Sequence, residues 1–284
     1  MRLLRPQQWA KNAVVLAGLV FAEITDQPHA VLEAFLAVVT FVLASAAVYI
    51  VNDIRDIEVD RQHPLKRWRP LAAGEIEPAA AARVAVLLAV AALALALVVT
   101  PMLTLIIAAY LALMGAYIVW LKRIAILDVM VIAVGFVLRA VGGAVAVAVP
   151  ISPWLLLCAF LLALFLGFGK RRAELVGLGP DATRHRAALA GYTGLLLDQL
   201  VRIAGGAALV AYAIYTVVST SVPESGSMLL TVPFVAFAIF RYLYLIYGRG
   251  LGGSPESLLF RDRWLLGSVA LWGVLALVLM RAGG

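Results

Sequence analysis

Apolar runs of about 20 residues recur from one end of the chain to the other. Such a run crosses the hydrocarbon core as a helix, because only there are all its backbone groups satisfied without water. The pattern predicts nine spans, at roughly 11–27, 30–52, 79–99, 101–121, 124–148, 152–169, 193–219, 228–247 and 264–282. The expected fold class is therefore all-α: a polytopic membrane protein forming one domain over 1–284, with no soluble domain or long linker. Composition excludes the rival, a soluble bundle. The chain is 64% hydrophobic and 14% charged, against about half and a quarter in soluble domains. Its single cysteine, Cys158, forbids an intrachain disulfide, and His29, His63 and His185 lie too far apart for zinc spacing. The N-terminal stretch resembles a signal peptide, but Pro6, Trp9 and Asn12 make a long polar lead, so the segment is expected to be retained.

Charge placement orients the spans. Lys and Arg gather in the N-terminal tail (Arg2, Arg5, Lys11), after span two (Arg55, Arg61, Lys66, Arg67, Arg69) and after span four (Lys122, Arg123). They recur after span six (Lys170, Arg171, Arg172, Arg184, Arg186) and span eight (Arg249, Arg261, Arg263), while the intervening turns hold Glu23, Asp26 and Glu224. Alternating topology puts every basic loop on one side, which the positive-inside rule makes cytoplasmic. The chain is thus expected in the inner or plasma membrane, its N-terminus and polar loops cytoplasmic and its C-terminus outside. The net charge of +7 reports this orientation and not nucleic-acid binding, since no basic soluble domain exists to hold it. Two halves of four helices plus a ninth are expected, each half carrying a long polar loop after its second helix (52–78 and 170–192).

The densest charge lies in VNDIRDIEVDRQHPLKRWRP, Val51 to Pro70. At about 100° per residue, Asp53, Asp56 and Asp60 share one helix face, flanked by Asn52, while Glu58 points away. Three carboxylates on one stripe repel each other. Protonation, cation pairing or a metal could relieve them, and the spacing suits a hard cation such as Mg²⁺ carrying substrate phosphates. Pairing with Arg55, Arg61 and Lys66 in a solvated loop is the plain alternative. Ionisable groups beside hydrocarbon are costly and usually functional, which favours the site. Pro64 ends the helix, and Lys66, Arg67 and Arg69 then offer phosphate-binding nitrogens.

The segment NDIRDIEVDRQHPLKRWRPLAAG resembles the first aspartate motif, N-D-x-x-D-x-x-x-D, of the UbiA superfamily of intramembrane prenyltransferases, as does WLKRIAILDVMVIAVGFVLRAVGGA, Trp120 to Ala144. The resemblance implies nine transmembrane helices around a central cavity, with Asp53, Asp56 and Asp60 as catalytic residues that hold Mg²⁺ and a diphosphate. Ordinary members carry a second acidic motif after span six. Here GKRRAELVGLGPDATRHRAALAGYT (Gly169 to Thr193) puts Lys170, Arg171 and Arg172 there, leaving Glu174 and Asp181. RPQQWAKN (Arg5 to Asn12), KRRAEL and GSPESLLFRDR (Gly253 to Arg263) resemble one branch of the superfamily, in which the donor is phosphoribosyl diphosphate and the acceptor a polyprenyl phosphate such as decaprenyl phosphate. The product of that branch feeds arabinose donors for cell-wall glycans.

On this reading Lys66, Arg69, Lys170 and Arg171 hold the acceptor phosphate and the ribose 5-phosphate, and Gln8, Lys11, Asn52, Lys122, Glu174 and Tyr192 complete the substrate site. Arg139, within span five, is either a deep phosphate ligand or the partner of Asp128 and a cap for helix carbonyls. Asn12 is placed at the mouth with Gln8 and Lys11, and Trp9 as an interfacial anchor. Gly142, Gly143, Gly205 and Gly206 are read as close-packing positions. The competing functions are a prenyltransferase acting on an aromatic or quinone precursor and a lipid-phosphate transporter. The expected partners are phosphoribosyl diphosphate, a polyprenyl phosphate and the bilayer, with no nucleic acid; the oligomeric state, a homo-oligomer included, stays open.

Overall fold

A computed structural model describes residues 2–21, 26–64, 66–150, 152–179, 182–220, 222–253 and 255–283, and those residues contain helices and turns but no strand. The helices are α1 (Ala17–Phe21), α2 (Pro28–Arg55), α3 (Ile57–Gln62), α4 (Pro78–Val99), α5 (Pro101–Val119) and α6 (Leu127–Ala146). They continue as α7 (Pro153–Leu178), α8 (Ala182–His185), α9 (Gly194–Val218), α10 (Val232–Arg249), α11 (Pro255–Arg261) and α12 (Arg263–Gly283). Proline stands in the first turn of α2, α4, α5, α7 and α10, where its missing N–H costs nothing and its fixed φ favours the helix. Thr100 turns α4 into α5 with its hydroxyl accepting from the Met102 N–H, and Thr193 caps α9 through the Leu196 N–H.

Eight helices among the described residues are long and apolar enough to cross a membrane, and they match eight of the predicted spans. The first predicted span differs. It is a 3₁₀ helix over Pro6–Leu16, 11 residues, followed by α1. At about 2.0 Å per 3₁₀ residue and 1.5 Å per α residue, this rod is roughly 30 Å long, the thickness of the hydrocarbon core. Stretching the backbone thus lets a short segment reach that length, but not as a regular α-helix. Large apolar side chains such as Val98, Leu105, Leu195 and Ile203 stay exposed around the bundle, as a lipid-facing belt requires. The chain is a multi-pass membrane protein.

Two apolar cores organise the bundle. One joins the rod to α2, α4, α5 and α6 through Val15, Phe41, Leu103, Ile107 and Tyr110. The other joins α7, α9, α10 and α12 through Phe165, Leu197, Val201, Ile246 and Leu265. The sequence pattern puts α6 in the second half, whereas α6 is shared between the two cores. α6 packs on α5, the rod and α7, and its Val129 and Val131 enter different cores.

Small residues let α6 take that position. A Cβ on Gly142 would lie 2.5 Å from the Phe41 ring, and one on Gly143 would lie 1.8 Å from the Val15 carbonyl oxygen. Gly205 meets Phe165 at 2.9 Å, whereas Gly206 has nothing within 4 Å. Three of the four predicted close-packing glycines therefore are such positions. Gly143→Ala is expected to push the rod off α6 at a cost of about 1–3 kcal/mol, seen as a lowered Tm and faster proteolysis of the N-terminal segment. Gly206→Ala is expected to be neutral or stabilising in the same assay.

Candidate functional site

α2 ends at Arg55, where Asp56 leaves helical geometry with φ −99° and ψ 10°, and α3 continues the chain to Gln62. The hydrogen bond from Asp60 N to the Asp56 carbonyl, 2.8 Å, keeps the two pieces nearly in register. Asp53 and Asp60 are consequently buried, at 4% and 2% exposure, and face the same way. Glu58 points outward, 78% exposed, and accepts from Arg61 at 2.8 Å, as the periodicity predicts. His63 is extended before Pro64, and the turn Lys66–Trp68 swings the basic run back across the acidic stripe.

The stripe is held by cations from distant segments. Arg69 Nη1 donates to Asp53 Oδ1 at 3.1 Å and to Asp60 Oδ2 at 2.6 Å. The Arg5 guanidinium also donates to Asp53 Oδ1 and lies over the Tyr49 ring, one helical turn before Asp53. Lys122 donates to Asp56 Oδ1 at 2.6 Å and to Asn52 Oδ1 at 3.1 Å, while Asn52 Nδ2 donates to Asp56 Oδ2 at 3.0 Å. Cation pairing relieves the repulsion, but through Arg5, Arg69 and Lys122 rather than the predicted Arg55, Arg61 and Lys66. The break at Asp56 splits the stripe. Among the described residues no three carboxylates, histidines or cysteines stand grouped as a ready metal cluster. The donor chemistry still suits a hard divalent cation. Asp53 and Asp60 already converge two carboxylate oxygens on a single cationic atom, and Asp56 and Asn52 add further oxygens beside them.

The second polar loop meets the first, with α3 packed on α8. At its centre Arg171 Nε donates to Asp128 Oδ2 at 2.5 Å, the two side chains being 3% and 0% exposed. Tyr192 donates to Asp128 Oδ1 at 2.7 Å and accepts from the Ile126 N–H at 2.6 Å. Burial, and then the charge of Asp128, push the Tyr192 hydroxyl well above the usual tyrosine range, so it stays a donor. Glu174 Oε2 accepts from Arg171 Nη1 at 3.1 Å and from Arg186 Nε at 2.9 Å. Lys170 and Lys66 both lie in the field of Glu174. Arg171 and Tyr192, expected at the substrate, thus tie α7 and the Tyr192 loop to the start of α6. Asp181 lies outside the described residues.

Arg139 sits deeper, 5% exposed. It donates to Asn12 Oδ1 at 2.8 Å, Gly135 O at 2.9 Å, Ser45 Oγ at 3.2 Å and the Tyr110 hydroxyl at 2.8 Å, with its guanidinium over the Tyr110 ring. Of the two readings, the carbonyl cap is present. The Asp128 pairing is not, because Arg171 holds that carboxylate. Asn12 belongs to this buried network rather than to the mouth, which corrects its predicted place; Gln8 and Lys11 are half-buried on the same rod. A groove of 740 Å³ between α10 and α12, lined by Phe234, Phe237, Arg263, Trp264 and Leu271 among others, touches none of the predicted site residues.

Sequence reasoning missed the pairings of Arg5 and Arg186, and of the two readings of Arg139 the one that pairs it with Asp128 fails. Arg5 read as part of a basic tail and of the stretch RPQQWAKN, neither of which paired it with an aspartate; the clue was an arginine just before the proline that starts the rod.

Decaprenyl-phosphate phosphoribosyltransferase of Mycobacterium tuberculosis is 37% identical over 269 residues, covering 93% of this chain and 88% of the relative. The protein so named from Mycolicibacterium smegmatis is 34% identical over 277 residues, covering 93% and 87%. Among solved structures, a UbiA homolog from Archaeoglobus fulgidus bound to DMAPP and Mg²⁺ superposes with a TM-score of 0.76 at 18% identity, covering 99% of this chain and 98% of that one. The model of the UbiA prenyltransferase family matches residues 13–258, from the rod through α11, and the chain belongs to that family.

Proposed function

We propose that the protein transfers 5-phosphoribosyl from phosphoribosyl diphosphate to a polyprenyl phosphate, releasing diphosphate. The observation that carries the reading is the cationic second loop. In the second polar loop Lys170, Arg171 and Arg186 meet two carboxylates, Glu174 and the Asp128 that Arg171 holds, so a net positive charge remains. That balance of charge suits a donor with an extra phosphate better than a prenyl diphosphate. The names of the relatives, which align over nearly the whole chain, support the same donor.

Asp53, Asp56 and Asp60 would hold Mg²⁺, with Asn52 beside them. A bound divalent ion supplies charge neutralisation to the departing diphosphate. The remaining work falls to the chain's own groups. Arg69 and Lys122, which bridge the acidic oxygens, hold them in place and keep positive charge beside the diphosphate. The C1–O bond to diphosphate breaks with its electron pair leaving on oxygen, while the phosphate oxygen of the lipid forms the new C1–O bond from the opposite face. That nucleophile is already ionised at neutral pH, so no general base is required, and catalysis rests on positioning and charge. The positive-inside rule, applied to the basic loops, supports a cytoplasmic face for this chemistry.

The test is diphosphate release by purified protein with Mg²⁺, phosphoribosyl diphosphate and decaprenyl phosphate. Turnover confined to a prenyl diphosphate plus a phenolic acid would reverse the assignment.

A further inference from the structure

Asp53 Oδ1 accepts from two guanidiniums at once, those of Arg5 and, at 3.1 Å, Arg69. The two donors are not equivalent. Arg69 belongs to the polar loop and also donates to Asp60 Oδ2 at 2.6 Å, a partner it keeps whichever way Asp53 is engaged. Arg5 makes no other ion pair among the described residues, and it reaches the stripe from a hook ahead of the rod. That hook is anchored on both sides. Leu3 and Leu4 pack with Ile50, Leu71, Ala81 and Ala85, where α2 ends and α4 begins. The Trp9 indole donates back to the Leu4 carbonyl at 3.1 Å. Further along the rod, Asn12 Oδ1 accepts from the buried Arg139 Nε at 2.8 Å. Arg5 stands between the 3₁₀ turns Arg2–Leu4 and Pro6–Leu16 at φ 48° and ψ 64°, a left-handed conformation that crowds any side chain with a Cβ. Such backbone persists only where its surroundings enforce it. Here it aims the guanidinium past the Tyr49 ring, 5.3 Å from the centroid, onto Asp53.

We propose that Arg5 is a tethered counter-cation that gates the acidic stripe: it competes with a divalent ion for Asp53 Oδ1, so the N-terminal hook sets how tightly the stripe holds that ion. The inference rests on the assignment of the ion to Asp53, Asp56 and Asp60 above. A hard dication needs the carboxylate oxygens themselves. Arg5 covers one of them with charge of the same sign, so ion binding exchanges one cation for another and gains less than binding to an open carboxylate. Whichever cation is bound, the buried carboxylate has a partner. Arg5 is the donor that yields, because its side chain is partly exposed and both water and the Tyr49 face hold it once it lets go. A residue that merely braced the oxygens would act in the opposite direction, since its removal would weaken the ion.

The test is Mn²⁺ binding to the full chain in detergent, followed by the paramagnetic resonance signal of the free ion, with neither donor nor acceptor present. Wild-type protein binds Mn²⁺, and Asp53→Asn abolishes that binding. Arg5→Gln binds the ion about 10-fold tighter, because the competing charge is gone. Arg5→Lys keeps the charge and stays within about threefold of wild type. Melting curves verify that each variant is folded, and Mn²⁺ raises the Tm of Arg5→Gln more than that of wild type. Arg5→Gln binding that equals or falls below wild type overturns the gate while leaving the ion on Asp53. Tightening in Arg5→Lys as large as in Arg5→Gln also overturns it, because charge is then not the cause. Wild-type binding that survives Asp53→Asn overturns the ion assignment and the gate with it.

Discussion

Asp53→Asn is expected to cut turnover by roughly 10²–10³-fold while the protein still inserts and folds. The amide keeps the shape of the side chain but loses its charge and one acceptor. It also turns an NH₂ group toward Arg5 and Arg69, two donors that now meet a carboxylate oxygen. Both arginines are partly exposed, so water can replace what they lose and the stability cost stays modest. The proposed metal-binding role has no such substitute, because a neutral amide is a poor ligand for a hard dication. Diphosphate release at saturating substrate measures the effect, with circular dichroism as the folding control. Glu58→Gln, on the opposite side of α3 and exposed, should leave the rate within about twofold. Equal rates for the Asp53 variant and wild type would remove Asp53 from the reaction.

Arg171→Leu is expected to damage the fold rather than one chemical step. Its guanidinium and the Asp128 carboxylate are almost wholly buried, so removing one partner leaves an uncompensated charge in a dry interior. Breaking such a pair costs about 3–5 kcal/mol, which at roughly 2–4 °C per kcal/mol lowers Tm by ~10 °C. Asp128 is also the acceptor for Tyr192, so the loop carrying that tyrosine should loosen with it. The double variant Asp128→Leu/Arg171→Leu should recover part of the loss, because no orphaned charge then remains. If Arg171→Leu melts like wild type but fails to turn over, Arg171 is a substrate ligand and the pair with Asp128 is dispensable.

Most of the fold was legible along the chain. Seven spans lie within a few residues of their predicted bounds, because apolar run length and starting prolines act inside one segment, while α7 runs nine residues past its predicted end, through the basic stretch Lys170–Arg172. The outward aim of Glu58 and the shared face of Asp53 and Asp60 followed from the helical period; the burial of those two aspartates did not. The rod did not follow, since nothing local marks Pro6–Leu16 as 3₁₀; its closeness to α6 arises from a glycine more than a hundred residues away, Gly143.

The sequence by itself determined that this chain lives in a bilayer, where its helices start, and that three aspartates gather at one end of a span. Only the tertiary structure decided which cation answers which acid. Arg5 reaches Asp53 across 48 residues, Arg171 reaches Asp128 across 43 and Lys122 reaches Asp56 across 66. Helix propensity and hydrophobic period are properties of neighbours in sequence. An ion pair depends instead on distances between packed helices, and a side chain only a few ångströms longer or a helix that ends one residue earlier exchanges its partners.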